Sequence, residues 1–231
     1  GTRTTLLCAR QNKGRYLRHA NHFSVRQCAV VFVGTGKFFS AGFDLMALIG
    51  QSPNGKSKIS ATAGKKRKPE GQALVNLSWK VLARVLVFPV PTITVFNGHA
   101  FGLGLFLGLA CDHRIMVDNG GKSRLCLPEI TIGLPLGSGF AALARCKLSK
   151  SALRTSVLTG KQWSSRDALS HGIVDSVVPV PDDSVPPEAL TLAKALAPTS
   201  SKGNLGKIKM EIYGDTYRML DQPQASHLSK L

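Results

Sequence analysis

Several features that would point to a membrane protein, a disulfide scaffold or a metal protein are missing from this sequence of 231 residues. It has no run of about 18 uncharged apolar residues, the minimum for a transmembrane helix. The nearest candidate, residues 91–111, is interrupted by glycines, Asn97 and His99. The five cysteines lack the spacing of a disulfide framework or a metal site. We therefore expect reduced thiols, no membrane span and no bound metal.

Acidic residues are also scarce, since 13 Asp and Glu face 30 Lys and Arg and leave a net charge of +17. Such a charge can indicate nucleic-acid binding. However, the basic residues are spread along the chain, and the one dense run, residues 65–68, has no interleaved aromatic residues to stack bases. We expect no nucleic-acid partner. The run is typical of a solvated loop, and the alternative is that it attracts the phosphates of an anionic ligand.

The length and the apolar content of 43% predict one domain with a single core. Buried strands are predicted at residues 29–33, 92–96 and 114–117, and residues 51–72 as a loop. Apolar spacing and the prolines at 89 and 91 predict a helix over 73–87. A helix is predicted to begin at residue 43 and to include residues 43–49. Further helices are predicted over 103–109, 139–144, 151–159, 165–171, 185–196 and 207–220.

Two glycine-bearing stretches each follow an apolar, strand-like run: GKFFSAGFDL at residues 36–45 and NGHAFGLG at 97–104. Glycine permits turns whose backbone N–H groups point at a ligand. The third informative stretch, LPEITIGLPLG, contains Glu129. Two aimed N–H donors and one carboxylate are what proton abstraction beside a carbonyl requires, since the donors hold the developing oxyanion and the carboxylate takes the proton.

Glu129 is the strongest candidate for that carboxylate among only four glutamates in the chain. Glu70 adjoins the basic run and Glu188 follows two prolines, so both are expected at the surface, and Glu211 lies on a predicted amphipathic helix. A glutamate among apolar neighbours has a raised pKa, which suits a general base near neutral pH. The alternative is a loop carboxylate that is bonded to backbone N–H groups.

Five segments in one order resemble the crotonase (enoyl-CoA hydratase/isomerase) family: SAGFDL, PTITVFNGHAFGLG, ACDHRIM, PEITIGLPLG and LTGKQWSSRDALSHGIVDSVV. The stretches around the first turn and Glu129 look most like the plant peroxisomal isomerases of this family. The resemblance implies an α/β fold, the crotonase-like ββα spiral with a helical C-terminal part, and a homotrimer or dimer of trimers. It divides the chain into an unassigned segment 1–28, a core 29–180, a helical part 181–228 and a terminal tripeptide 229–231.

The resemblance also implies the site. Glu129 would be the catalytic base, and the backbone N–H groups of Phe43 and Leu103 would form the oxyanion hole. Leu103 stands where the family often has glycine, which adds bulk beside the hole. The residues expected to contact the fatty enoyl-CoA substrate are Ser40, Ala41, Gly42, Asp44, Leu45, Gly102, Phe106 and Leu136. No separate cofactor is expected, because coenzyme A is part of the substrate.

Phe106 is the position that distinguishes activities within the family. Hydratases carry a second glutamate there, and dienoyl-CoA isomerases carry aspartates there and at the position of Gly137. Phenylalanine cannot activate water, so the resemblance favours an isomerase that moves the double bond of 3-enoyl-CoA to trans-2-enoyl-CoA in β-oxidation. The alternatives are a hydratase, a thioester hydrolase, or a catalytically silent relative that binds acyl-CoA or a protein partner.

Other polar residues are weaker candidates. His99 is expected to pack or to form hydrogen bonds, Asp44 and Asp112 to cap or pair, and Ser138 lacks the context of a hydrolase nucleophile. The last three residues, Ser229, Lys230 and Leu231, match the peroxisomal S-K-L signal that the import receptor reads. We therefore expect a peroxisomal matrix protein, in preference to reading the Arg-rich N-terminus as a transit peptide.

Overall fold

The computed structural model of the chain describes residues 5–8, 28–44, 69–181 and 185–222, with the backbone alone for residues 5–8, 69 and 70. The predicted contacts of Leu45, the basic run at 65–68 and the terminal tripeptide lie outside these residues. Within the described ranges no helix has the length and apolarity needed to cross a membrane.

The strands form two sheets. They are β1 (Thr5–Cys8), β2 (Val30–Val33), β3 (Phe38–Ser40), β4 (Thr92–Phe96), β5 (His99–Phe101), β6 (His113–Asp118), β7 (Leu125–Cys126) and β8 (Ser176–Pro179). The larger sheet has the order β1-β2-β4-β6-β8, and the smaller has the order β3-β5-β7. Three times along the chain, a strand of the larger sheet is followed by a strand of the smaller one, which confirms the predicted spiral.

All pairings within the two sheets are parallel except that of β1 with β2. Every residue of the central strand β4 is buried, and four of its five residues, Thr92–Val95, are β-branched, as suits a parallel strand that is covered on both faces. The antiparallel edge strand β1 lies in the segment that the sequence left unassigned. Its pairing places Thr5 opposite Val33.

The helices are α1 (Pro69–Leu86), α2 (Leu103–Ala110), α3 (Ser138–Lys147), α4 (Lys150–Thr159), α5 (Ser165–Ser170), α6 (Pro187–Leu196) and α7 (Leu205–Asp221). Single 3₁₀ turns cover Glu129–Ile132 and Ala197–Ser200. The predicted strands and most predicted helices are confirmed to within a few residues.

Two helix boundaries differ from the prediction. The loop predicted to end at residue 72 gives way to α1 at Pro69, where a proline is favourable because the first helical N–H has no partner inside the helix. Phe43 and Asp44, where a helix was predicted to begin, are not helical. The rest of that predicted helix lies outside the described residues.

The core is divided by the larger sheet. Alternate side chains of its strands, such as Val31, Ile93 and Ile115, pack under α6. The other face joins a larger cluster with α1 to α5 and α7, which includes the buried rings of Trp79, Trp163, Phe39, Phe96 and Phe106. The smaller sheet and the start of α2 border this second cluster, and that position puts both glycine turns beside it.

Helix α7 packs against α1 and α3, and a buried lysine fixes it there. Lys209 Nζ donates to the carbonyl oxygens of Phe88 and Val90 at 2.9 and 3.0 Å and to Asp112 Oδ2 at 2.5 Å. The same Asp112 oxygen accepts hydrogen bonds from the Thr92 N–H and hydroxyl. Asp112 therefore pairs, as the sequence predicted, and joins the C-terminal helix to β4.

Candidate active site

A cavity of about 100 Å³ lies where the two glycine turns meet the Glu129 turn. Seven of the eleven residues predicted for the site line it: Ala41, Gly42, Phe43, Gly102, Leu103, Glu129 and Leu136. Six further residues line it: Pro128, Ile132, Leu134 and Pro135 from the LPEITIGLPLG stretch, and Val75 and Phe140, which belong to no motif. Glu129 is the only titratable side chain among the described residues that line this cavity.

The first turn follows β3 and depends on Gly42. The Gly42 N–H donates to the Ser40 hydroxyl at 3.2 Å, so Ser40 holds the turn and is not one of the lining residues. Gly42 has a φ of +86°, and a Cβ there would lie 2.7 Å from the Phe101 carbonyl oxygen and 3.5 Å from the Leu103 nitrogen. Only glycine allows this approach, which brings the two turns together.

The second turn starts α2. Gly102, with a φ of +49°, donates its N–H to the Cys126 carbonyl at 3.0 Å and accepts from the Phe106 N–H at 3.0 Å. Leu103 is the first residue of the helix, so its N–H has no acceptor within the helix. The positive φ falls on Gly102, and a leucine at 103 is therefore compatible with the turn. No described residue accepts a hydrogen bond from the N–H of Leu103 or of Phe43.

Glu129 opens the 3₁₀ turn, and its carboxylate lies against Gly102. A Cβ on Gly102 would be 3.4 Å from Glu129 Oε1. The other oxygen, Oε2, is buried and has no hydrogen-bond partner among the described residues. Burial raises the pKa of Glu129, and a hydrogen bond from its own backbone N–H opposes this only in part. A carboxylate of raised pKa that lines a cavity and has one oxygen without a partner has the properties of a general base.

The turn that carries Glu129 is braced from behind by the end of α4. Gly160, with a φ of +62°, lies so close that a Cβ would be 2.6 Å from Thr131 Cγ2. The Thr131 hydroxyl donates to the Pro128 carbonyl at 2.8 Å, and Cys126 Sγ donates to the Gly160 carbonyl at 3.3 Å. Gly160 belongs to the LTG stretch, for which sequence reasoning gave no role.

The structure amends the expected position of Phe106. Its ring is fully buried and is not one of the lining residues. It stacks on Phe140, with ring centroids 4.4 Å apart, and Phe140 is the ring that faces the cavity. The sequence motif correctly placed Phe106 near the site. However, its side chain points from α2 into the core, behind Phe140.

The remaining polar candidates lie outside the cavity. Asp44 is exposed and does not line it. His99 accepts from the Arg124 N–H at 3.2 Å and packs between the rings of Phe38 and Phe101, as predicted for a packing histidine. Ser138 is the exposed first residue of α3. Among the described residues, no group of three His, Cys, Asp or Glu side chains could hold a metal ion.

Comparison with known proteins bears on the family of the chain. The sequence model described as enoyl-CoA hydratase/isomerase matches residues 23–226. Enoyl-CoA delta isomerase 3 of Arabidopsis thaliana is 33% identical over 207 residues, which cover 89% of this chain and 81% of the relative. The peroxisomal enoyl-CoA delta isomerase 2 of the same plant is 32% identical over 201 residues, or 85% and 78% of the two chains.

A solved structure supports the fold independently. The crystal structure of an enoyl-CoA hydratase from Mycobacterium marinum superposes with a TM-score of 0.67 and 21% identity, over 83% of this chain and 75% of that one. At this identity, the likeness shows the fold and not the reaction.

Proposed function

Because the chain belongs to the enoyl-CoA hydratase/isomerase family, we propose that it is an enoyl-CoA delta isomerase that converts 3-enoyl-CoA to trans-2-enoyl-CoA. The observation that carries the proposal is the Glu129 carboxylate, the only titratable side chain among the described lining residues, with one oxygen buried and unpaired. One carboxylate in an apolar cavity suits the movement of a proton between two carbons. The plant relatives named as delta isomerases support the same reading.

In the proposed reaction, Glu129 removes a proton from C2 of the bound thioester. The electron pair moves into the conjugated system, and negative charge develops on the thioester oxygen. Phe43 and Leu103 line the same cavity. In this proposal their backbone N–H groups donate to that oxygen, and one such donor typically contributes about 3–4 kcal/mol to transition-state stability. Protonated Glu129 then returns the proton to C4, which leaves the double bond between C2 and C3.

Hydration or thioester hydrolysis would require a second group that positions and activates water. The other described lining residues are apolar or glycine, so the cavity offers no such side chain. The raised pKa of Glu129 also suits the shuttle, because the residue must both take and return a proton near neutral pH. No separate cofactor takes part in these steps, since proton transfer needs only the carboxylate and the two N–H donors.

The test is to incubate the purified protein separately with 3-enoyl-CoA and with trans-2-enoyl-CoA. The proposal expects conjugated thioester to appear from the first and no hydroxyacyl-CoA from the second. Efficient hydration of trans-2-enoyl-CoA would favour the hydratase instead. Inertness toward both, with acyl-CoA binding retained, would identify a silent relative.

We further propose that the protein works in the peroxisomal matrix, in fatty acid β-oxidation. The support is the terminal Ser229-Lys230-Leu231 signal and the peroxisomal name of one plant relative. A fluorescent protein that carries the last ten residues should collect in peroxisomes, and deletion of the tripeptide should leave it cytosolic. Mitochondrial accumulation of the full-length protein would contradict the proposal and favour the Arg-rich N-terminus as the signal.

The homotrimer, or dimer of trimers, also stays a proposal. Its support is the exposure of Leu77 and Val81 on α1 and of Ile208 and Ile212 on α7, two helices that pack side by side. On each helix the two residues are four positions apart and so share a face, and exposed apolar patches are typical of interfaces between subunits. Sedimentation equilibrium should give three or six times the chain mass, and a monomer at all concentrations would contradict the proposal.

A further inference from the structure

The cavity has a floor of two side chains. Val75 on α1 and Phe140 on α3 are the fully buried side chains among the described lining residues, with exposures of 1% and 5%. The rim is formed by exposed residues such as Ala41 and Pro135. The exposed residues at one end and the buried residues at the other indicate that the cavity runs inward from the rim to Val75 and Phe140.

The volume of the cavity above this floor is small. Pockets that enclose a drug-sized ligand commonly measure about 300–1,000 Å³, whereas this cavity measures about 100 Å³. An acyl chain that enters from the rim would meet the Phe140 ring at the floor of this small volume. The described residues therefore enclose too little space for a long acyl chain while the floor keeps this position.

The Phe140 ring is held on several sides. Phe106 stacks on it at 4.4 Å with an interplanar angle of 27°. The ring of Trp79 meets it edge-on at 5.8 Å, and that of Phe43 at 6.3 Å. Such aromatic contacts stabilise a fixed ring position beyond the effect of burial alone.

The backbone that carries Phe140 is equally confined. The preceding residue, Gly139, lies against Trp79, and a Cβ there would be 2.7 Å from Trp79 Cδ2. Gly137, with a φ of +81°, turns the chain into α3 just before. The ring and the first turn of α3 are therefore closely packed on the side away from the cavity.

We infer that Phe140 is the residue that sets the acyl-chain length of the substrate. This inference rests on the proposed isomerase function and specifies its substrate class as 3-enoyl-CoA thioesters of short acyl chain. Phe140 acts by direct contact with the end of the acyl chain, and Val75 completes the floor. Phe106 is a positioning residue that acts through Phe140, because its own ring is not among the lining residues.

The experiment compares kcat/KM for 3-hexenoyl-CoA and 3-dodecenoyl-CoA. The wild-type protein should prefer the shorter thioester. Phe140→Ala should raise the ratio of dodecenoyl to hexenoyl activity by about tenfold or more, the discrimination that even one methylene group can give in a fitted pocket. The ratio is used because both substrates report on the same folded fraction, so partial unfolding leaves it unchanged.

Three further variants isolate the floor. Val75→Ala should also raise the ratio of dodecenoyl to hexenoyl activity, by a smaller factor. Phe140→Leu takes the place of Phe140→Ala in the test if Phe140→Ala does not fold. Phe88→Ala is the matched control, because this half-buried phenylalanine packs against Val30 and Val90 in a separate cluster. Its ratio should equal that of the wild type.

The outcomes separate the inference from the function on which it rests. If the wild-type protein isomerises both substrates and the floor variants leave the ratio unchanged, the acyl chain follows another route and the inference is overturned alone. A wild-type preference for dodecenoyl-CoA would overturn it equally. If the wild-type protein isomerises neither, the proposed function fails and the inference fails with it.

Discussion

Two partly buried carboxylates in this molecule have opposite surroundings. Asp112 accepts hydrogen bonds from the Thr92 N–H, the Thr92 hydroxyl and Lys209 Nζ, all within 3.0 Å. Glu129 has one oxygen that is buried without a partner among the described residues. Buried charges are ordinarily paired and hydrogen-bonded, because an unpaired one is costly.

The difference is the one expected if Asp112 has a structural role and Glu129 is the proposed catalytic base. Asp112 joins α7 to β4, and its bonds are made within the protein. Glu129 has one carboxylate oxygen without a partner among the described residues, and it lines a cavity together with Phe43 and Leu103. This contrast is the observation that favours Glu129, and not Asp112, as the proposed base.

The largest effect should come from Glu129→Gln. We expect the isomerisation rate to fall by about 10²–10⁴-fold, the range for a positioned general base. The fold should persist, because the amide has nearly the same shape and leaves no buried charge. Stopped-flow or steady-state assays of conjugated thioester, with circular dichroism as the control for folding, measure both. Near-normal turnover of this variant would show that another group is the base.

The opposite pattern is expected for Lys209→Met. Removal of one partner from a buried ion pair typically costs about 3–5 kcal/mol, and here it also removes two hydrogen bonds to the carbonyls of Phe88 and Val90. Thermal and urea unfolding should show a large loss of stability. The kcat of the fraction that remains folded should match the wild type, and a selective loss of kcat would contradict the division between the two carboxylates.

A smaller effect is expected at Gly160, which braces the Glu129 turn. Gly160→Ala places a Cβ in a left-handed conformation and 2.6 Å from Thr131 Cγ2, so the turn must shift and kcat should fall. Gly172→Ala is the matched control, since Gly172 has a φ of +67° and no atom within 4 Å of the added Cβ. Backbone strain should lower the free energy of unfolding of each variant by about 1–2 kcal/mol. Only Gly160→Ala should also lower the kcat of the folded protein.

The smallest effect concerns pH and stability. Because burial raises the pKa of Glu129 in the folded protein, the folded state binds this proton more tightly than the unfolded state. The contribution to stability is present below the ordinary glutamate pKa and is lost as the pH rises through the raised value. Glu129→Gln lacks this dependence, so its melting temperature relative to the wild type should increase across that window. A constant difference between the two proteins would contradict the raised pKa.

The sequence predicted most of the fold because its strands and helices are marked by strong local signals. The β-branched run of β4 and the prolines after α1 are examples. The start of α1 was misplaced because small polar residues precede its apolar spacing, although Pro69 itself favours a helix start. The boundaries at residues 28, 180 and 228 that divide core from flanking parts stay a prediction.

The candidate site was predictable where a motif coincides with backbone geometry. Gly42 and Gly102 adopt the positive φ values that the turns require, and Glu129 stood out because so few glutamates exist. Val75 and Phe140 could not be found in this way. They lie 65 residues apart, belong to no motif, and meet only when α1 and α3 pack together. Phe106 was predicted to contact the substrate, but Phe140 lies between its ring and the cavity. Sequence spacing does not fix which side of α2 faces the cavity.

The most direct test of the contrast between the two carboxylates is a ¹³C NMR titration of the glutamate Cδ carbons in protein labelled with ¹³C at glutamate alone. The chain has only four glutamates, so four resonances are expected, and Glu129→Gln assigns one of them. We predict that the Glu129 resonance titrates at a distinctly higher pH than the other three and that kcat/KM rises over the same pH range. Four glutamates that titrate together, or a Glu129 that titrates lowest, would contradict an unpaired buried base.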